Sequence, residues 1–259
     1  MRTFTFKSLF LTVLFVLLGS LAIQAADDGL ITRQITLKLD EAGTLPTKIA
    51  VSRKNLITNL KIVGKINGTD LKFIREMAGC DFNRKKTDGK LSILDLSEAK
   101  IVAGGDAYTS YQGNNMYTYN DKLGYGAFSG CSGLTSLTIP SSVTSIGNEA
   151  FRGCSGLTSI YVYPENLPEL GTYIFNRCDA KNCTVYVPKG TYDAYKSSEF
   201  GYFEKIVEFD ASGIDKVTTS ADAKEVSRYS ANGQRLSTPA KGLNIVKYSD
   251  GSVKKVVVQ

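Results

Sequence analysis

The chain has 259 residues, of which 42% are hydrophobic, and its formal net charge is +6. This composition is ordinary for a globular protein with a hydrophobic core, and so small a positive excess argues against nucleic-acid binding. The sequence contains no histidine, which excludes Ser-His-Asp and Cys-His catalysis, HExxH metal sites and histidine general bases.

The N-terminal segment has the three parts of a secretory signal peptide. Arg2 and Lys7 precede an apolar run from Leu9 to Leu18, and small residues follow up to Ala25. The run has ten residues, whereas a bilayer-spanning helix needs about 20, so a signal peptide is favoured over a transmembrane helix. We expect removal of residues 1–25 during export, which leaves a net charge of +4 and no membrane span.

Residues 26–58 are assigned to an N-terminal cap. Within them, the segment RQITLKL, from Arg33 to Leu39, alternates polar and apolar residues as a half-buried strand does. A cap is expected because a stack of repeats exposes the apolar residues of its first turn unless an atypical segment covers them.

A repeat of 23 residues organises the middle of the chain. YGAFSGCSGLTSLTIPSSVTS, from Tyr125, is followed by NEAFRGCSGLTSIYVYPENLP, from Asn148, with every apolar position in register. A period in the twenties with the pattern LxxLxI is typical of a leucine-rich repeat, in which each turn supplies one short strand. Stacked turns then bury a continuous core, which predicts a solenoid.

The strand signature predicts a solenoid of about six rungs over residues 59–210. The predicted strands are Leu60–Val63, Ile93–Leu96, Ser136–Ile139, Ser159–Val162, Thr184–Val187 and Ile206–Phe209. The first two intervals are longer than the others, so each holds an insertion. One contains Leu71, Ile74 and Met77 at helical spacing. The other, a Tyr-rich stretch at residues 104–124, is predicted to be a long surface loop.

The C-terminal residues change character. Residues 211–224 are small and polar, which predicts a linker. Residues 225–259 contain two β-rich pairs of segments, each joined by a two-residue turn, at Asn232-Gly233 and at Asp250-Gly251. The predicted fold is therefore a leucine-rich-repeat solenoid, with parallel strands on one face and irregular or short helical turns on the other, followed by a small all-β module.

Two families resemble parts of this chain. The repeats resemble BspA-like leucine-rich repeats, whose pattern is IGxxAFxxCxxLxxIxIPxxVxxI. The matching residues are Ile146, Gly147, Ala150, Phe151, Cys154, Leu157, Ile160 and Val162. The tail looks like the C-terminal sorting module of the Por-type (type IX) secretion system. The residues that carry this second likeness are Asn232-Gly233-Gln234, Lys241-Gly242-Leu243 and the strand from Lys254 to Val258.

These resemblances imply an exported protein, on the outer-membrane surface or outside the cell, that binds a host matrix protein, another cell or a glycan. The tail would contact the secretion machinery. The alternative is a structural spacer or envelope-assembly component without an external ligand. We do not expect an enzyme, because the nearest carboxylates, Glu149, Glu165 and Glu169, lie at variable or turn positions that do not mark an acid-base pair.

The cysteine pattern predicts neither a metal site nor a cofactor. There are five cysteines, an odd number that cannot pair completely within one chain, and no CxxC spacing. Cys131, Cys154 and Cys178 share one repeat position, so they should stack about 5 Å apart. That separation permits a disulfide, but we favour small apolar thiols packed in the core.

The candidate ligand-binding residues follow from strand alternation. The residue between the two final apolar positions of each strand faces outward, which predicts the column Lys61, Asp95, Thr138, Tyr161 and Tyr186, and a parallel column with Pro140, Tyr163 and Pro188. We expect Tyr161, Tyr163 and Tyr186 to cluster within about 5–10 Å, so the predicted site consists of these three residues, Thr138 and Asp95. Tyrosine also favours strands in general, so the rings could simply shield the sheet. The alternative site is the insertion, with Tyr108, Tyr111, Tyr117 and Tyr119.

Overall fold

The structure, a computed structural model, describes residues 29–210, 225–230, 235–248 and 253–258. The predicted signal peptide and linker lie outside the described residues, as do the two predicted turns of the tail. Among the described residues, no helix is long and apolar enough to span a membrane.

Residues 29–210 contain short strands separated by turns. In chain order, the strands are β1 (Ile35–Leu39), β2 (Asn59–Ile66), β3 (Ile93–Ile101), β4 (Gly104–Tyr111), β5 (Asn114–Thr118), β6 (Lys122–Leu123), β7 (Ser136–Ile139), β8 (Ser145–Ile146), β9 (Ser159–Val162), β10 (Glu169–Leu170), β11 (Thr184–Pro188) and β12 (Lys205–Phe209). The helices are α1 (Leu45–Lys48), α2 (Val51–Lys54), α3 (Gly68–Met77) and α4 (Tyr192–Lys196), with a 3-10 helix at Glu199–Tyr202.

One seven-stranded parallel sheet forms the strand-lined face, in the order β1-β2-β3-β7-β9-β11-β12. All six predicted strands are present in it, and β7 and β9 have the predicted bounds. The strand predicted for the N-terminal cap is β1, which continues the same sheet. The short strands β6, β8 and β10 form a second parallel sheet. This large parallel sheet with few helices agrees with the predicted solenoid.

Helix α3 connects the N-terminal residues to the repeats. The predicted helical spacing is confirmed, and Leu71, Ile74 and Met77 are buried. The helix begins at a capping box in which Asn67 and Asp70 satisfy each other's backbone amides. The buried Asp70 carboxylate also accepts hydrogen bonds from the backbone amides of Gly43 and Leu45, so α3 holds the preceding segment against the solenoid.

The Tyr-rich insertion was predicted as a long surface loop, and this prediction is wrong. Residues 104–118 form an antiparallel β-hairpin of β4 and β5. Its turn contains Gln112 and Gly113 with φ of 49° and 79°, the left-handed conformations that a two-residue hairpin turn requires. Glycine and asparagine suggested a loop, but Tyr108 and Thr109 of β4 are both buried.

We call the turns that precede β7, β9 and β11 the first corner (residues 125–130), the second corner (residues 148–153) and the third corner (residues 172–177). A stack of phenylalanine rings fills the core at these corners. Phe128 and Phe151 lie parallel with ring centroids 5.8 Å apart, and Phe151 and Phe175 repeat this arrangement at 5.5 Å. The last ring packs against Phe200 at 5.0 Å and Phe203 at 4.9 Å, at steep angles. The C-terminal helices thus close the end of the stack.

The stacked cysteines bind backbone carbonyls. The Cys154 thiol donates to the carbonyl of Phe128 at 3.1 Å, and the Cys178 thiol donates to the carbonyl of Phe151 at 3.2 Å. All five cysteines are buried and none forms a disulfide. Burial raises the pKa of Cys131 and Cys154 well above the usual range. In contrast, a hydrogen bond with the Cys131 thiol, followed by the charge of Arg75, lowers the pKa of Cys80 to about 7.

Hydrogen bonds also join the corners of successive turns. Three amides of the first corner donate to carbonyls of the second: Gly126 to Asn148 (3.0 Å), Phe128 to Ala150 (2.7 Å) and Gly130 to Arg152 (2.8 Å). The second corner donates to the third in the same way: Glu149 to Thr172 (3.0 Å), Phe151 to Ile174 (3.0 Å) and Gly153 to Asn176 (2.8 Å). Each corner therefore accepts from the preceding turn, and the first corner needs other donors.

Arg75 and Tyr108 supply those donors. At the offset of 23 residues, the first-corner carbonyls that correspond to the second-corner acceptors are those of Tyr125, Ala127 and Ser129. The Tyr108 hydroxyl donates to the carbonyl of Tyr125 at 2.9 Å. The fully buried Arg75 guanidinium donates to the carbonyls of Ala127 at 3.0 Å and Ser129 at 3.2 Å. The two insertions therefore cap the corner ladder.

The tail contains four strands among its described residues: β13 (Glu225–Ser230), β14 (Arg235–Leu236), β15 (Gly242–Tyr248) and β16 (Val253–Val258). They form an antiparallel sheet in the order β14-β13-β15-β16. The buried Asn244 side chain bonds both the amide and the carbonyl of Ala240 and accepts from Arg228 at 3.3 Å. These contacts fix the segment before β15 against the sheet.

We expect Arg75→Met to lower the free energy of unfolding by about 3 kcal/mol, because it leaves buried carbonyls of the first corner without donors. Methionine keeps an unbranched apolar side chain, so packing changes little. Urea unfolding followed by circular dichroism measures the effect. The control is Arg53→Met on α2, an exposed position, where we expect a change within about 0.5 kcal/mol. Equal effects of the two substitutions would contradict a capping role for Arg75.

Candidate ligand-binding surface

The register of the main sheet confirms the predicted outward column. Each member lies beside the next on the neighbouring strand, in the order Lys61, Asp95, Thr138, Tyr161 and Tyr186. The column continues to Thr36 at one end and to Val207 at the other. The strand-lined face therefore presents one continuous row of side chains across seven rungs.

The N-terminal half of this column is ionic and largely satisfied. Lys61 lies 3.4 Å from the Asp95 carboxylate and 2.7 Å from that of Glu98. The hydrogen bond to Glu98 is the main cause that raises the pKa of Lys61. Asp95 also accepts a hydrogen bond from the amide of Ser97 at 2.8 Å. The carboxylate predicted to contact a ligand is thus already engaged by the protein.

Thr138, the middle member of the column, departs from the prediction in its accessibility. Only 9% of the residue is exposed, although its register is that of an outward-facing residue. It lies between Asp95 and Tyr161 on adjacent strands, and both of these side chains are larger than threonine. Thr138 therefore separates the ionic and aromatic parts of the column and offers little surface to a ligand.

The C-terminal half of the face contains the predicted tyrosine cluster. Tyr161 and Tyr186 are stacked, with ring centroids 4.5 Å apart and an interplanar angle of 7°. Phe209 joins them, 6.1 Å from Tyr161 and 5.1 Å from Tyr163, with its ring edge-on to both. We call Tyr161, Tyr163, Tyr186 and Phe209 the aromatic cluster.

Phe209 was not among the residues predicted for the site. The second outward column was predicted as Pro140, Tyr163 and Pro188, and Pro188 lies beside Phe209 in the sheet. The spacing rule applied to the final predicted strand, which ended at Phe209, would have found it. Its ring connects the two outward columns, because it contacts both Tyr161 and Tyr163.

The aromatic cluster is ordered before any ligand arrives. Its members are only partly buried, and each extends from a strand of the main sheet or from the residue that follows one. Burial, and then the neighbouring Tyr186 and Tyr163, raise the pKa of Tyr161. Its hydroxyl therefore stays protonated near neutral pH and can both donate and accept a hydrogen bond.

The alternative site in the insertion is not one surface. Tyr108 is only 1% exposed and caps the first corner, so its prediction as a binding residue was wrong. Tyr111 packs against Tyr125 at 4.4 Å and lies beneath the Arg84 guanidinium at 5.8 Å. Tyr117 and Tyr119 are the most accessible of these four tyrosines of the insertion, 45% and 62% exposed.

Glu149, one of the three carboxylates considered as catalytic groups in the sequence, forms ion pairs. Glu149 adopts a left-handed backbone conformation with φ of 57°. Its carboxylate lies 3.0 Å from Arg152 and 4.0 Å from Arg84. This geometry gives Glu149 a structural role at the second corner.

Comparison with known families agrees with the repeat architecture. Residues 121–225 match the family model described as BspA type Leucine rich repeat region, in six copies. The match covers less than half of the chain and includes the aromatic cluster. This part of the chain is therefore similar to BspA-type leucine-rich repeats, and such repeats are typical of surface-exposed, non-enzymatic proteins that act in protein-protein interaction. No curated protein matches the sequence.

We expect the stacked rings of Tyr161 and Tyr186 to be energetically coupled by about 0.5–1.5 kcal/mol. A double-mutant cycle with Tyr161→Ala, Tyr186→Ala and both together, measured by urea unfolding, gives the coupling energy. The control cycle pairs Tyr186→Ala with Tyr117→Ala in the hairpin, where the coupling should be below about 0.5 kcal/mol. A coupling near zero in the first cycle would show that the rings do not hold each other in place.

Proposed function

We propose that this chain is an exported cell-surface protein that binds a protein or glycan ligand through the aromatic cluster of its repeats. In this proposal, residues 1–25 direct export and residues 26–58 cap the solenoid formed by residues 59–210. The linker, residues 211–224, joins the solenoid to residues 225–259, which contact the secretion machinery. The BspA-type repeats, typical of surface-exposed proteins, support this assignment.

The observation that carries the proposal is the stacked pair of Tyr161 and Tyr186 beside Phe209. Tyrosine is enriched among the residues that dominate binding energy, because it combines a large contact area with a hydroxyl and has few rotatable bonds. These rings are already fixed by one another and by the sheet. A ligand that covers them therefore orders few additional side chains, which lowers the entropic cost of association.

Neighbouring residues extend the same surface toward the end of the sheet. Val207, next to Tyr186 in the column, is 45% exposed. Tyr186, Val207 and Phe209 therefore form an apolar region on the last two strands, whereas Lys61 and Asp95 form an ion pair near the other end. We place the centre of the contact on the last three strands.

The competing function is that of a structural spacer, in which the tyrosine rings only shield the sheet. Both functions predict that the rings stabilise the fold, so stability alone does not separate them. Binding does separate them, because a spacer has no external ligand that removal of the rings could affect.

We expect the double change Tyr161→Ser and Tyr186→Ser to weaken ligand binding at least about tenfold, because it removes both stacked rings from the contact. Binding is measured on arrays of extracellular-matrix proteins and glycans, with circular dichroism to verify folding. The comparison is Tyr111→Ser with Tyr117→Ser in the hairpin, which should bind like the unmodified chain. Retained affinity in the first variant and loss in the second would move the site to the hairpin.

We expect a chain without residues 214–259 to fold, because the aromatic and cysteine stacks of the solenoid end before residue 211. It should stay inside the cell envelope, because it lacks the proposed sorting module. Fractionation of the native host measures delivery, and thermal melting of the purified chain measures folding. The full-length chain should reach the cell surface or the medium without its signal peptide. Loss of cooperative melting in the shortened chain would show that the tail belongs to the solenoid core.

A further inference from the structure

An open groove adjoins the aromatic cluster. Its volume is about 550 Å³, within the range of roughly 300–1,000 Å³ that small-molecule sites occupy. Tyr163 belongs to both the groove and the cluster. The other side chains that line it include Ser141, Thr144, Glu165, Asn166 and Leu167.

The walls of the groove are fixed by the solenoid. One wall is the segment from Tyr163 to Pro168, in which both prolines are buried. The carbonyl of Pro164 accepts a hydrogen bond from the buried Tyr195 hydroxyl at 2.8 Å. At the far end of the segment, the amide of Glu169 donates to the carbonyl of Thr144 in the opposite wall at 2.9 Å. The groove therefore has its shape before a ligand binds, which favours affinity.

The chemistry of the lining matches a sugar. A pyranose has an apolar C–H face and a rim of hydroxyl groups. Tyr163 offers an aromatic ring, oriented by its edge-on contact with Phe209 at 5.1 Å, and Leu167 adds apolar surface. Asn166 can donate and accept hydrogen bonds, and Glu165 accepts them. Both polar side chains are exposed and line the groove.

The charge of the lining selects among sugars. Glu165 is the charged residue among those that line the groove, and no lining residue is basic. A sulfated or carboxylated sugar would meet the Glu165 carboxylate without a compensating cation, and like charges at close range repel. The groove therefore disfavours an anionic ligand.

We propose that this groove binds a neutral oligosaccharide, with the Tyr163 ring against a pyranose face and Glu165 and Asn166 bonded to its hydroxyls. The proposal rests on the proposed function, because it names the ligand class of the surface that contains the aromatic cluster. It also extends that surface from the strands onto the turn that follows β9.

The experiment is a glycan array that contains neutral and sulfated glycans, followed by calorimetric titration of the best neutral glycan into the purified full-length chain. We expect neutral glycans to bind and sulfated ones to bind at least about tenfold more weakly.

Asn166→Ala should weaken binding about fivefold through loss of one hydrogen bond. Glu165→Gln should weaken binding of the neutral glycan. It should also reduce the ratio of the affinity for neutral glycans to the affinity for sulfated glycans. Tyr163→Ser should bind the neutral glycan at least about tenfold more weakly than its matched control, Tyr117→Ser.

The outcomes separate this inference from the proposed function. Binding of matrix protein that depends on Tyr161 and Tyr186, without binding of any neutral glycan, would overturn the oligosaccharide site and leave the proposed function intact. Glycan binding that is unchanged in the Glu165 and Asn166 variants would also overturn it. These two side chains are exposed, so their variants test the groove even if Tyr163→Ser reduces the stability of the fold.

Discussion

Backbone hydrogen bonding between successive turns is the constraint on which this solenoid depends. The first corner donates its amides to the second, and the second donates to the third, so the first corner has no preceding corner of the same kind to donate to its carbonyls. Buried carbonyls without donors are costly, and the Arg75 guanidinium and the Tyr108 hydroxyl meet this need from the two insertions. The two insertions therefore mark the N-terminal boundary of the regular repeats, because Arg75 and Tyr108 bond the carbonyls of the first corner.

The same hydrogen bonding between turns arranges the residues of the candidate ligand-binding surface. Because hydrogen bonds fix the register from strand to strand, one outward position per turn becomes a continuous column, and its chemistry changes along the sheet. It begins with the Lys61 ion pair, passes through the small Thr138 and ends in the stacked rings of Tyr161 and Tyr186. The two ends of the face are therefore chemically different, with charged groups at one end and aromatic groups at the other.

Local periodicity predicted the regular parts of this molecule. It failed where contacts between residues far apart in the sequence determine the structure. Strands β7 and β9 were predicted with their bounds, because the repeated apolar positions leave one register in which both faces are consistent. The burial of Arg75 depends on carbonyls more than fifty residues away in sequence, which no helical pattern reveals. The engagement of Asp95 by Lys61 likewise spans two turns. The hairpin was missed because its glycines and asparagines resemble those of a loop, although Gly113 is part of its turn and Asn114 and Asn115 lie in β5.

The cysteine stack bears on the proposed export route, which passes through an oxidising compartment. Once the turns are stacked, the thiols of Cys131 and Cys154 are buried and resist ionisation, and Cys80, although more acidic, is 1% exposed. Thiolates attack disulfides and thiols do not, and burial keeps other disulfides away from the more acidic Cys80, so stacking of the turns protects these thiols from exchange. The unfolded chain lacks this protection. On the proposed route, the yield of native protein would therefore depend on whether the repeats stack before the thiols oxidise.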